Sequence, residues 1–495
     1  MHVELEKTGK IRERMKLGVI TPIHKGGPKN KAINYRPITL TSHLIKIFER
    51  VLTKNLIDYM NSNSLLNLRQ HGFRKGRSCL SQLIEHYQDI LNMIEKRSNA
   101  DVIYLDFAKA FDKVDHGILI RKMAAVGIHG RVLAWIFEFL KNRQQVVKVS
   151  SSYSRTSRVV SGVPQGTVLG PILFLIFMRD IDEGLDNAQA SSFADDTRIV
   201  MQIKSSSDIQ KLQDNLTKLY EWSKLNNMVF NGDKFEHLRY GYEIYSENYK
   251  TPGGEEILVS EDVSDLGITM SSTGNFERHI SDICVKGSQM TGWIFRTFKI
   301  RDSHPMMVLF KALVLPILEY CCQIWSPNKL FQIRSIESVQ RHFTKKLTGT
   351  SGMTYKERLK FLRIYSLERR RDRYAVIYIW KIIQGLVPNL LGKDKIESHN
   401  NLRLGRFCNI PSINRKSPMY VQSLRENSLC IRGAKVFNTV PRYLRDFDGN
   451  LETFKENLDK FLSNLDDVPI DPNEPQSVSS NSIAERISRS HQRLD

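Results

Sequence analysis

The sequence predicts an α/β protein, with mixed strands and helices to about residue 270 and a mainly helical, basic remainder. Three observations predict it. Up to that point, apolar residues alternate between helical spacing and short β-branched runs. At 495 residues the chain is too long for one ordinary core, so two or three domains are expected. The net charge of +20 is unevenly placed: from Lys286 to Lys381, 19 Lys and Arg stand against 6 Asp and Glu. Most charge runs are solvated helix faces, but an imbalance this long favours phosphate contacts.

The elements follow in order. Gly18-Val-Ile-Thr-Pro-Ile23 reads as a short strand broken by Gly26-Gly27-Pro28. Ser42 to Met60 carries Leu44, Ile45, Phe48, Val51, Leu52, Leu56 and Ile57 at helical spacing. Ser81 to Lys96 is a second amphipathic helix, and Asp101-Val-Ile-Tyr-Leu-Asp-Phe107 a strand. A helix ending near Gly127 and another over Val132–Leu140 precede two paired strands, Gln145–Ser150 and Arg158–Val160. Ser161-Gly-Val-Pro-Gln-Gly166 is a turn, and Thr167–Arg179 a buried helix. Ser191–Ile203 reads as a hairpin tipped by Asp195-Asp196. Ser207-Asp-Ile-Gln210 reads as a capping box opening a helix with Ile209, Leu212, Leu216, Leu219 and Trp222 on one face. Residues 393–418 lack periodicity and read as loop-rich, and Leu451–Leu465 is a final amphipathic helix. The tail from Asp466 is polar, with Pro and Ser, and reads as disordered.

Composition excludes several classes. The six cysteines form no C-x-x-C pair, which argues against a zinc ribbon, and so low a count suits a reducing compartment. Cys321-Cys322 read as core residues. Met1–Lys16 is too polar for a signal peptide. The longest apolar run, Val168–Met178, is too short to span a bilayer and contains Gly170 and Pro171. An intracellular protein with no membrane partner is expected.

The chemistry centres on carboxylates. Asp106 ends a strand, where a rigid sheet can present it to a cleft. Asp195 and Asp196 are adjacent, so alternation sends them to opposite faces, and Asp195 is assigned to the cleft. Such a set can hold two magnesium ions, which prefer oxygen ligands and share phosphate oxygens with a substrate. Two metals under carboxylate control perform nucleotidyl transfer. Taken alone, an Asp-Asp pair in a hairpin is usually just a turn.

The surrounding segments decide the matter. They are, in order, Ile20-Thr-Pro-Ile-His-Lys25, Asn34-Tyr-Arg-Pro-Ile-Thr-Leu40 and Gln70-His-Gly-Phe-Arg-Lys-Gly-Arg-Ser78. Tyr104-Leu-Asp-Phe-Ala-Lys-Ala-Phe-Asp-Lys-Val-Asp-His116 and Ser161-Gly-Val-Pro-Gln-Gly-Thr-Val-Leu-Gly-Pro-Ile-Leu-Phe174 continue the series. Phe193-Ala-Asp-Asp-Thr197 and Asn231-Gly-Asp-Lys234 close it. Together they resemble the reverse transcriptases of non-LTR, LINE-type retrotransposons of the jockey-like kind. Asp265-Leu-Gly-Ile268, Leu318-Glu-Tyr-Cys-Cys-Gln-Ile-Trp-Ser-Pro327 and Ser366-Leu-Glu-Arg-Arg-Arg371 extend the resemblance beyond the polymerase core, so that nearly the whole chain is covered.

The resemblance implies a right-hand polymerase. Fingers and palm, with an antiparallel palm sheet, would occupy 1–270 and a basic helical thumb or connection 271–392. A C-terminal region would occupy 393–465 and a disordered tail 466–495. It implies that Asp106, Asp195 and Asp196, with the Phe107 carbonyl, hold two Mg2+ ions, for which Mn2+ can substitute. Phe111 would be the steric gate against a ribose 2′-hydroxyl, with a core aromatic as the alternative. Gln165 would contact the incoming dNTP and, with its neighbours Gly162 and Gly166, the templating pair; the alternative for Gly162 and Gly166 is a structural turn. Lys25 and Arg36 would hold the triphosphate, with solvated surface cations as the alternative. Arg74, Lys75 and Arg77 would touch template backbone. Lys234 would protonate pyrophosphate, with a plain exposed lysine as the alternative.

The expected activity is RNA-directed DNA polymerisation, with an RNA template, a DNA primer or target, and dNTPs as partners, in nucleus or cytoplasm. Thr167 stands where the family often has Ser. The chain starts just before the first polymerase motif, so no nicking activity is expected from it, and an endonuclease or nucleic-acid-binding partner in trans is left open. Two rivals are a non-catalytic nucleic-acid-binding remnant and a viral RNA-dependent RNA polymerase. The intact Asp106, Asp195 and Asp196 oppose the first. Phe193-Ala-Asp-Asp196 and Phe111 oppose the second.

Overall fold

A computed structural model describes residues 11–242, 247–401, 403, 405–469 and 481–491. The chain divides into two compact units. The first comprises Met1–Lys75, Asp101–His237 and Tyr245–Val259, and the second Gly76–Ala100, Leu238–Ile244 and Ser260–Asp495.

Nine strands organise the first half: β1 (Leu17–His24), β2 (Tyr35–Leu40), β3 (Asn99–Leu105), β4 (Arg143–Val149), β5 (Ser152–Tyr153), β6 (Ser157–Val159), β7 (Gln189–Phe193), β8 (Asp196–Ile203) and β9 (Glu236–Tyr240). One sheet runs β2-β1-β4-β5, with β6 also on β4. Within it β1 and β2 are antiparallel, with Ile23 opposite Arg36, while β1 and β4 are parallel. The other runs from Val259–Ser260 through β9, β3 and β8 to β7. In it β7 and β8 form an antiparallel hairpin whose last pair is Phe193 with Asp196. The parallel β1–β4 pairing joins segments more than a hundred residues apart, which local patterning does not reveal.

Helices cover these sheets. His43–Ser62 and His116–Ala125 contribute Ile45, Leu56, Met60, Leu119 and Met123 to the core of the first unit. Helix Gly170–Phe177 is apolar on every side and buried at every residue but Pro171, as such a helix must be. Its entry is capped from a distance. The buried Glu49 carboxylate accepts from the Val168 and Leu169 amides at 2.6 and 2.9 Å, satisfying donors that a helix start leaves open.

The second unit is mainly helical, as expected. Its core gathers Ile84, Val376, Trp380, Phe437, Phe454 and Leu458. All six cysteines are free, and Cys321 and Cys322 are buried. Among the described residues no helix is long and apolar enough to cross a membrane.

Two expectations need correction and one needs refinement. The capping box at Ser207–Gln210 does not form: the helix is Ser206–Leu225, and its N-cap Ser205 makes no side-chain capping bond. Asp208 instead reaches back to accept from the Lys204 amide and the Ser205 hydroxyl at 3.0 and 3.2 Å, so a carboxylate replaces the glutamine. The loop-rich 393–418 stretch contains a short antiparallel hairpin, Ser398–Asn401 with Gly405–Cys408. The tail is partly ordered. Helix Ile483–His491 starts from a fully buried Ile483, and Asn481 donates to Asp467 and Ser366 at 2.6 and 3.0 Å. One apolar anchor and a buried amide outweigh polar composition there. Residues 470–480 and 492–495 of the expected tail lie outside the described residues.

Candidate active site

Asp106 follows the last residue of the fully buried β3 and is held by its backbone. The Asn231 amide donates to the Asp106 carbonyl at 2.8 Å, and the Ala108 amide to the Val229 carbonyl at 2.9 Å. These two bonds make a bridge between Phe107 and Phe230, whose rings stack at 4.3 Å. Neither bond uses the Phe107 carbonyl.

Asp195 and Asp196 are positioned by the β7–β8 hairpin. Its loop is two residues, Ala194 and Asp195, and Ala194 sits at φ +57°. Such backbone suits glycine; a residue with Cβ costs about 1–3 kcal/mol there. The surrounding structure enforces it. Gln70 Oε1 accepts from the Ala194 amide at 2.9 Å and from the Gly72 amide at 2.8 Å, and its Nε2 donates to the Ala194 carbonyl at 3.2 Å. The His71 amide donates to Ser192 O at 2.9 Å, and the Ser192 amide to Arg69 O at 3.1 Å. The Gln70-His-Gly72 segment therefore clamps the turn. A Cβ at Gly72 would lie 2.4 Å from the Ala194 nitrogen, so glycine is required for the approach.

The carboxylates share one electrostatic field. Burial, then the neighbouring Asp196 and Asp106 charges, push the Asp195 carboxyl up to about 6, against an opposing pull from Arg36. Asp196 is raised by burial and Asp106, opposed by Arg198, Lys234 and Arg36. The Lys234 ammonium donates to Asp106 Oδ2 at 2.8 Å. A concentration of negative charge, half withdrawn from water, is what a divalent cation relieves. The donors are all oxygens, the type magnesium takes. Among the described residues, however, no group of three His, Cys, Asp or Glu side chains converges closely enough to enclose a metal. The carboxylates fit the ion in chemistry and field, with Asp106 turned onto Lys234.

A glycine loop lies within the same unit. The Gly162 amide donates to Val114 O and the Val163 amide to Phe111 O, both at 2.8 Å. His116 Nε2 lies 2.9 Å from the Gly162 carbonyl oxygen. Gly162 has φ +87° and would put a Cβ 2.7 Å from Asp112 backbone; Gly166 has φ +105° and would meet Thr39 O at 2.7 Å. The Thr39 amide donates to Gln165 O at 2.7 Å, tying the loop to β2. The Gln165 side chain hydrogen-bonds Asp112. A cavity of 320 Å³ opens here, lined by Gly162, Gln165, Thr39, Lys109 and Asp112. Phe111 stacks on Phe174 at 4.3 Å and meets Phe73 edge-on at 6.0 Å.

The remaining predicted residues divide. Arg36, exposed on β2, bears on both Asp195 and Asp196. Lys25 is exposed, its amide bonded to Asn34 O at 2.8 Å. Arg74 spends its fork internally, on Asn67 O at 2.7 Å and Asn61 Oδ1 at 3.5 Å. Lys75 is exposed in the first unit, and Arg77 belongs to the second. Gln70, Glu49 and His116 were not singled out from sequence. The first and last lie inside quoted motifs, but their work is done on partners 46 to 124 residues away.

Residues 23–270 match the reverse transcriptase (RNA-dependent DNA polymerase) family. A relative named "Probable RNA-directed DNA polymerase from transposon X-element", from Drosophila melanogaster, is 25% identical over 390 residues, covering 73% of this chain and 42% of the relative. The "RNA-directed DNA polymerase from mobile element jockey" of the same species is 26% identical over 356 residues, covering 69% and 38%. The chain thus spans about two fifths of the length of these relatives. A Candida tropicalis telomerase structure aligns over 91% of this chain and 65% of its own at 12% identity and a TM-score of 0.42, too loose a likeness to bear on the site.

Proposed function

The chain belongs to the reverse transcriptase family, and from that premise we propose that it adds dNTPs to a primer 3′-hydroxyl on an RNA template. The observation that carries the reading is the cluster of Asp106, Asp195 and Asp196 in one field with Arg36. The reading takes fingers and palm to about residue 270, with a basic thumb and C-terminal region beyond.

In this reading Asp106, Asp195, Asp196 and the Phe107 carbonyl hold two magnesium ions, or manganese in their place. When bound, the ions supply charge neutralisation at the attacking hydroxyl and at the triphosphate. The protein's own residues do the rest. Arg36 and Lys25 bind the triphosphate, the first as a fork and the second as a point charge. Gln165 and the Gly162–Gly166 loop face the nascent pair, the two glycines letting the loop pack tightly on Asp112 and Thr39. Phe111, fixed between Phe174 and Phe73, offers its ring edge to the sugar and excludes a 2′-hydroxyl. Lys234 holds Asp106 before loading and, once released, is placed to protonate pyrophosphate. In this reading Lys75 and Arg77 contact template backbone. The internal bonds of Arg74 favour a role in shaping its loop over direct contact.

Primer extension on poly(rA)·oligo(dT) with dTTP and Mg2+ tests the reading. Extension by the wild type and none by Asp195→Asn is expected. If a folded wild type fails to extend yet still binds the substrate with steep salt dependence, the chain is a binding remnant instead.

A further inference from the structure

A cavity of 920 Å³ lies wholly within the second unit. Three helices border it: Cys79–Ile94 and Leu451–Asn464 at their N-terminal ends, and Leu367–Ile383 along its side. Its charged lining is Arg77, Arg373, Lys381 and Lys455, and no Asp or Glu is among the described residues that line it. Arg373 and Lys455 are anchored from behind by Asp459 and Glu452. The Lys381 ammonium makes no ion pair or side-chain hydrogen bond among the described residues. Burial, then the nearby Lys455, hold it below the ordinary lysine range against the opposing pull of Glu452. Both bordering helices also turn their positive ends to the cavity. Ser78 caps one by accepting from the Ser81 amide, and Asn450 caps the other by accepting from the Thr453 amide at 2.9 Å.

We propose that this cavity binds a short single-stranded stretch of nucleic acid, gripping its phosphodiesters with Lys381, Lys455 and Arg373. The site is additional to the carboxylate site and shares no residue with it. Size and lining choose the ligand. The volume far exceeds one phosphate and admits nucleotides from one strand, not a duplex. The half-buried Tyr374 lies on the wall between Arg370 and Arg373, whose guanidinium carbons are 5.8 and 5.9 Å from its ring, and offers a face on which a base can stack. The cavity also opens in the most basic stretch of the chain, where polyanions concentrate.

The test is photo-crosslinking of the full chain to short 4-thiouridine oligoribonucleotides, with 4-thiothymidine oligodeoxynucleotides as the second arm, and peptide mapping of the adducts. Adducts on the peptides holding Tyr374 and Asn450–Lys455 are expected. Their loss by about tenfold is expected in Lys381→Glu, with adducts elsewhere unchanged and with steep salt dependence. Preference for one arm identifies the strand, and either preference supports the site. Absence of adducts there in a folded protein overturns the proposal, as does equal displacement by millimolar inorganic phosphate, which would mark a bare anion site. Should Lys381→Glu misfold, Lys381→Ala serves, checked by circular dichroism. Primer extension on a short substrate is read in parallel. A failed extension by the wild type sinks the polymerase reading without touching the crosslinks.

Discussion

Two charged clusters in this molecule obey opposite rules. In the second unit Arg425 is buried, and its two Nη atoms each lie 2.9 Å from an Asp394 oxygen. Glu95 stands 3.4 Å away, itself 2.6 Å from Lys393, and Gln88 and Asn92 complete the shell. Every charge there has its counter-charge. In the first unit three aspartates repel one another, one pushed up to about 6, with a strained residue at the tip of their hairpin. Matched charge specifies structure; negative charge in excess, here three aspartates with Lys234 bonded to one of them, suits an arriving cation.

The comparison can be broken at either end. Asp106→Asn should cut extension by on the order of a thousandfold, since several kcal/mol of transition-state stabilisation is lost. The metal-free Asp195→Asn protein should melt higher, because burial and like charge both disfavour that carboxylate; a lower melting temperature would contradict the repulsion. Arg425→Ala should cost about 3–5 kcal/mol in denaturant unfolding, because it strands Asp394 and Glu95 in the interior. Arg425→Ala within 1 kcal/mol of wild type would show that water already reaches the cluster.

The second unit should also weaken in acid. His279 is buried, accepts from the Thr269 amide through Nδ1 at 3.3 Å, and is held down to about 4 by burial and Lys286. Its ordinary value is 6.5. Stability is therefore full above that value and is lost as pH falls toward 4, by up to about 3 kcal/mol at roughly 1.4 per unit. Unfolding curves of wild type and His279→Gln across this window check it, with a flatter profile expected for the variant. Next in size, Gly72→Ala should cost roughly 1–3 kcal/mol by forcing the clamp off the turn, with extension falling alongside. Smallest, Ala194→Gly should raise stability by about 1 kcal/mol by relieving the left-handed strain.

Much of the site was legible in the sequence because its chemistry is written in adjacent residues. Asp195-Asp196 between apolar runs and Asp106 at a strand end need no partner to be noticed. Glycines at 162 and 166 announce a close approach. What stayed hidden acts across distance. Gln70 holds a turn 124 residues away, and Glu49 caps a helix start 119 residues on. Neither spacing has a period. Ser207–Gln210 misled for the converse reason: the local pattern was right in kind, but Asp208 offered a better acceptor two residues before the expected Gln210. The docking of Ile483 was invisible because a single apolar residue in a polar tail carries no pattern at all.

The Gln70 clamp has a consequence for hydrogen exchange. A two-residue hairpin loop ordinarily trades its amide protons with solvent before the strands it joins. Here the Ala194 amide is 2.9 Å from Gln70 Oε1, and the residue is only 6% exposed. Its proton can leave only when the segment around Gln70 lifts. The tip of the hairpin should thus exchange on the slow clock of the interior and report, at a single amide, each opening of the segment that holds the aspartates in place.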